Sequence, residues 1–175
     1  MAAPTINLAD LDLQPRPEEH LPTGDAAARF ECRADRFSSR IGAKALGYNV
    51  TAVAPGMSAY PFHSHRQNEE MFFVLQGSGE VRIGAQVHAI RSGDFIACPA
   101  GGPETAHQIR NTGNEELRYL AVSTLLSPEI ADYPDSGKFA VYASFPAGTD
   151  GKPQPFYFMG REGMELDYWD GEGSK

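Results

Sequence analysis

Between residues 46 and 122 the chain is cut into short runs of strand-forming residues, each closed by a turn signal, and this spacing constrains its fold most. Residues 46–54 (LGYNVTAVA) stop at Pro55-Gly56, and residues 70–75 (EMFFVL) stop at Gln76-Gly77-Ser78-Gly79. The runs 81–83 and 87–90 flank Gly84-Ala85, which predicts a hairpin. Residues 94–98 run into Pro99, residues 107–111 end at Thr112-Gly113-Asn114, and residues 117–122 (LRYLAV) close the series. β-branched and aromatic side chains suit a pleated, half-buried surface, whereas glycine, proline and asparagine interrupt it. About seven short strands at this spacing predict an all-β sandwich or barrel.

The flanks read differently. Residues 1–40 form an N-terminal arm in which Pro15, Pro17, Pro22 and Gly24 interrupt any helix beyond a weak turn near residues 26–29. Leu11, Leu13, Leu21 and Phe30 need cover, so the arm is expected to pack on the barrel at residues 41–126. Residues 127–175 form a tail with a strong turn at 133–137 and a loop-like stretch at 146–151. Its aromatic residues Phe156, Tyr157, Phe158, Tyr168 and Trp169 must pack on the barrel or on a partner subunit. The run 70–75 carries Glu70, Phe72 and Val74 on one face and Met71, Phe73 and Leu75 on the other. A strand apolar on both faces is covered on both, one by the barrel interior and the other by arm, tail or a second copy; a homodimer is expected.

Charge narrows the partners. A net charge of −8 supplies no basic patch to neutralise phosphates, which argues against nucleic acid. A small anion held by a few local arginines is compatible with it, and Tyr48, Tyr60, Arg82, Arg110 and Arg118 are candidates to line such a pocket. Cys32 and Cys98 make neither a disulfide framework nor a CxxC pattern, and free thiols in a reducing compartment are expected. No basic-then-apolar leader and no bilayer-length apolar run is present, so the expected location is cytoplasmic, away from membranes.

The chemistry gathers in one stretch. His63 and His65 are two apart and share a face of an extended chain. Glu70 opens an apolar strand, where a lone carboxylate is costly unless paired or bound to a cation. Its neighbour Glu69 falls on the opposite face from Phe72 and Val74, so alternation selects Glu70. A third histidine, His107, follows Pro99 and Gly101 at the start of another strand. Three imidazoles and a carboxylate suit a first-row transition metal. His88 reads as a strand-surface residue, His20 as solvated, Cys98 as a buried structural thiol and Glu104 as exposed.

These residues resemble the two motifs of the cupin superfamily. Gly56, His63, His65, Glu70 and Gly77 match the first, with six residues rather than five after the glycine. Gly93, Pro99, Gly101, His107 and Asn111 match the second, with five residues between Gly101 and His107 where two are usual. The resemblance implies a double-stranded β-helix, the cupin or jelly-roll barrel, with a metal at one mouth held by His63, His65, Glu70 and His107. It implies one divalent ion among Fe, Mn, Ni, Co and Zn with coordination positions left open. The chain as a whole, including residues 132–138 and 167–171, is similar to small single-domain bacterial cupins, some of them sugar-phosphate-isomerase-like. A metal-dependent isomerase of a sugar or sugar phosphate is therefore the expected function. The alternatives are an Fe(II)-dependent dioxygenase of a small organic substrate and a non-catalytic small-ligand binding or sensing protein. The same resemblance leaves the general base unassigned.

Overall fold

The structure is a computed structural model and describes residues 4–145 and 154–173. The expected loop at 146–151 lies outside the described residues. Thirteen strands occur among them: β1 (Gln14–Pro15), β2 (Arg33–Arg36), β3 (Leu46–Val53), β4 (Ser64–His65), β5 (Glu70–Gln76), β6 (Ser78–Ile83), β7 (Gln86–Arg91), β8 (Phe95–Cys98), β9 (His107–Arg110), β10 (Leu117–Thr124), β11 (Glu129–Tyr133), β12 (Lys138–Phe145) and β13 (Gln154–Gly160). The helical segments among them are 3₁₀ turns of three or four residues. No described helix is long and apolar enough to cross a membrane.

The strands make an antiparallel jelly roll. One sheet runs β1-β2-β3-β10-β5-β8. A second runs β13-β12-β11-β4 and a third β7-β6-β9. A bridge between His63 and His107 joins these two across their edges, with His63 N donating to the His107 carbonyl at 3.1 Å and the reverse bond at 2.7 Å. The result is two layers closing over a core that includes Val53, Phe72, Val74, Val81, Ile96, Leu117 and Tyr119. On β5, Phe72 and Val74 are buried in that core, and Phe73 packs outward against Phe95 with ring centroids 4.5 Å apart. Phe95 is itself 74% exposed, and Met71, Phe73 and Leu75 on this outer face are only partly covered by the described residues.

The arm is tied down by β1–β2 pairing, by Asp12 N donating to Asp35 Oδ2 at 2.9 Å and by a bridge from Phe30 to Ser58. Leu11, Leu13 and Phe30 are partly buried, while Leu21 stays 49% exposed. The tail joins the barrel because β11 pairs with β4, setting Ala131 opposite His65 and Asp132 opposite Ser64. Asn111 is fully buried; its amide donates to the Val53 and Glu115 carbonyls at 2.8 Å each, which makes it a lock between loops.

Gly77 sits in the left-handed region at φ +81°, and a Cβ there would stand 2.6 Å from the Glu116 carbonyl oxygen. Gly56 has a similar φ of +82° and nothing within 4 Å. Gly77→Ala is expected to cost roughly 2–4 kcal/mol, strain plus overlap, and Gly56→Ala about 1 kcal/mol, strain alone. Thermal melts of both variants check this; equal melting temperatures would contradict the close approach at Gly77.

Candidate metal centre

Four side chains meet at one mouth of the barrel. β5 begins at Glu70, whose alternation with buried Phe72 and Val74 turns its carboxyl inward. Glu69 is exposed. Glu70 Oε2 lies 2.9 Å from His107 Nε2, 3.5 Å from His65 Nε2 and 3.9 Å from His63 Nε2. His63, Glu70 and His107 offer ligand atoms that all lie within 4.8 Å of one another, a group able to hold a metal ion. His65 stands one step further round: its ring centroid is 5.1 Å from that of His63 and 6.5 Å from that of His107.

The donor chemistry suits a divalent cation. The His63 Nδ1 lies 2.8 Å from the Pro61 carbonyl oxygen, which can only accept. Nδ1 is therefore the donor, and Nε2 of the neutral ring turns a free lone pair toward Glu70. Burial, and after it the charge on His107, lower the His63 pKa to about 4, so this ring is neutral at ordinary pH. Burial works against ionisation of Glu70, but hydrogen bonds from His107 and His65 outweigh it and hold the carboxyl well below the usual carboxylate range. His65 is raised: burial lowers it, and the Glu70 hydrogen bond and charge overcome that. The buried Nδ1 atoms of His65 and His107 have no hydrogen-bond partner among the described residues.

Loops lock these positions. Residues 102–106, the insertion before His107, form a 3₁₀ turn at Pro103–Thr105, and Gly101 N donates to the His65 carbonyl at 2.8 Å. The residue just before the insertion is thus tied to the H-x-H segment. Glu104 is exposed and accepts from Gly102 N at 2.9 Å. Behind His65 stands Glu129, 5% exposed, a residue no spacing in the sequence singles out. Its carboxyl accepts from the backbone N–H of Asn68 (2.7 Å), Gln67 (3.2 Å) and Ile130 (2.8 Å) and from the Asn68 side chain. The His65 Nδ1 is 3.8 Å from it.

A cavity of about 630 Å³ opens onto His65 and Glu70, with Asn68, Tyr48, Tyr142 and Tyr157 among its walls. The arginines expected to rim a pocket do not line it. Arg82 is held by both oxygens of Asp135 at 3.0 and 2.9 Å and lies over the Phe62 ring, Arg118 pairs with Glu116 at 2.6 Å, and Arg110 points to solvent. Strand faces alone could not foresee the partners of Arg82, which are remote in sequence, and Glu116 is a near neighbour that holds Arg118 locally. His88 is exposed on β7. Cys98 is buried beneath Glu70, its thiol pushed up to about 12 by burial and then by the Glu70 charge. Both cysteines are free.

Relatives match this architecture. The fold is similar to that of a sugar phosphate isomerase of the cupin superfamily from Silicibacter pomeroyi DSS-3, with a TM-score of 0.73 over 94% of this chain and 97% of that one; at 22% identity this is a likeness of fold. Auxin-binding protein 1 of Arabidopsis thaliana is 35% identical over 101 residues, 54% of this chain and 50% of its own length. An oxalate-binding protein of Thermotoga maritima is 34% identical over 74 residues, 42% of this chain and 58% of its own. The chain spans about half the length of the curated relatives it matches. The profile of the cupin domain matches residues 49–123, which run from β3 through β10 and contain all four converging side chains. Residues 49–123 therefore match a cupin domain, and the jelly-roll fold that carries them is similar to that of the Silicibacter pomeroyi protein.

Proposed function

We propose that this protein is a metal-dependent enzyme acting on a small polar molecule, an isomerase of a sugar or sugar phosphate, with His63, His65, Glu70 and His107 holding one divalent transition metal. The observation that carries this reading is the meeting of three imidazoles on one carboxylate, beside a cavity large enough for such a substrate. When bound, the ion supplies Lewis-acid polarisation of substrate oxygens. The chain's own part is to keep His63 in one tautomer through Pro61, to present the Glu70 carboxylate, and to wall the cavity with Tyr142 and Tyr157. The name of the Silicibacter pomeroyi protein of the same fold supports the isomerase class.

Two further parts belong to this reading. Free buried cysteines suit a reducing compartment such as the cytoplasm. A homodimer is supported by the exposed apolar surface of β13 and the tail, where Phe156, Tyr157, Tyr168 and Trp169 are 49%, 57%, 82% and 71% exposed, and by the uncovered Phe95.

Elemental analysis of protein purified without added metal is expected to find about one first-row divalent ion per chain, lost in His65→Ala. Under nitrogen, the metal-loaded protein should interconvert an aldose phosphate and its ketose. Iron together with oxygen uptake on substrate would replace the isomerase with the dioxygenase. Full metal content in His65→Ala would remove His65 from the ligand set.

A further inference from the structure

A second cavity, of about 560 Å³, lies between the N-terminal arm and the barrel. Arg16 and Arg29 reach it from the arm, Arg36 from β2 and Lys138 from β12. These four cations converge in a molecule whose net charge is −8. Five arginines elsewhere, Arg33, Arg40, Arg66, Arg82 and Arg118, each have a carboxylate within 4.0 Å, whereas Arg91, Arg110 and Arg161 stand apart on the surface. Among the described residues, none of the four cations around this cavity has one. The one carboxylate in its lining, Asp135, has both oxygens on Arg82.

We propose that this cavity binds the phosphate group of a small phosphate ester. The pocket is open to solvent and Arg29 and Arg36 are exposed, so repulsion among its cations is modest; an anion among them relieves it, and a concave basic pocket on an acidic protein attracts its ligand locally. Arg16 is organised for the task in advance. Its Nη2 donates to the Ala59 carbonyl at 2.6 Å, and its guanidinium lies 4.7 Å above the Tyr60 ring centroid. A guanidinium held this way loses little freedom when it pairs with an oxyanion. Three guanidiniums and an ammonium exceed what a single carboxylate needs, and they suit a phosphate monoester with three terminal oxygens and nearly two charges.

The pocket also adjoins the candidate metal centre. Tyr60 and Tyr133 wall it, and Tyr133 stacks on His63 with centroids 6.0 Å apart and planes 19° off parallel. Arg36 and Tyr142 line both this cavity and the one opening onto His65 and Glu70. Resting on the isomerase reading, this makes it the subsite for the phosphate end of a sugar phosphate whose carbonyl and hydroxyl end faces Glu70.

Titration calorimetry with inorganic phosphate, a hexose phosphate and the unphosphorylated hexose tests this on chelator-treated protein, so that no metal can take the phosphate. Saturable binding of both phosphates and none of the free hexose is expected. Arg29→Gln/Lys138→Gln is expected to weaken phosphate binding at least tenfold, and Arg118→Gln, outside the cavity, to leave it within twofold. The pair of substitutions spares Arg16, whose packing on Tyr60 helps seat the arm, and circular dichroism checks the fold. Equal binding in wild type and the double variant, or phosphate binding only after metal is restored, overturns the proposal. Phosphate binding that persists in a protein with no metal-dependent activity would sink the isomerase reading and leave the anion pocket standing.

Discussion

Glu70→Gln is expected to weaken metal binding by at least roughly 100-fold, the upper end of what removing a mere supporting group around a metal costs. Three histidine Nε2 atoms lie between 2.9 and 3.9 Å from a single carboxylate oxygen, and among the described residues the only other carboxylate near these rings is Glu129 behind His65. Glutamine keeps the shape of the side chain and removes the charge that makes a divalent ion favourable among neutral imidazoles. Competition against a chromophoric chelator reads the affinity. Glu69→Gln, one residue away and exposed, should match wild type. A Glu70→Gln protein that holds the ion as tightly as wild type would exclude Glu70 from the centre, whatever its effect on activity.

Glu129→Ala carries the second large effect, and it reaches both stability and the metal. The carboxyl of Glu129 is the acceptor for the Asn68 and Gln67 backbone N–H groups and the Asn68 side-chain amide. Taking it away strands donors that are buried or partly buried, at about 1–3 kcal/mol each before relaxation. A net loss of roughly 3–5 kcal/mol is expected, which lowers the melting temperature by about 10 °C in a chain of this length. The segment between His65 and Glu70 loses its anchor at the same time, so metal affinity should fall about 10- to 100-fold. Glu129→Gln keeps the bulk but places an amide among donors, and should sit between wild type and alanine on both measurements. A melting temperature unchanged by Glu129→Ala would show that the network contributes nothing.

Local patterning carried much of this architecture. Residues 46–54, 70–75, 94–98, 107–111 and 117–122 are strands within one or two residues of the bounds that turn residues suggested, and the hairpin about Gly84 is present. Side-chain alternation was enough to turn Glu70 inward and Glu69 outward. What stayed hidden depends on pairing across long separations. β4 is two residues long and its partner β11 lies more than 60 residues on, so no periodicity marks either. Glu129 follows Pro128 in a stretch whose sequence marks no strand, and only the folded chain brings it to His65. The basic pocket was similarly out of reach: Arg16 and Arg29 lie in a proline-interrupted arm, and their convergence with Lys138 appears only once the arm is docked. The tail aromatics were expected to find cover, and within this chain they do so only in part, through pairs such as Tyr142 with Tyr157.

The pairing of β11 with β4 bears on how the centre could be moved or inherited. The recognisable domain ends at residue 123, six residues before the strand that hydrogen-bonds to the His65 segment and brings Glu129 with it. A piece cut at that limit would keep every candidate ligand and lose the brace that orients one of them. The smallest portable unit of this site therefore extends to Tyr133, and descendants free to vary their tails are still bound to keep a strand there.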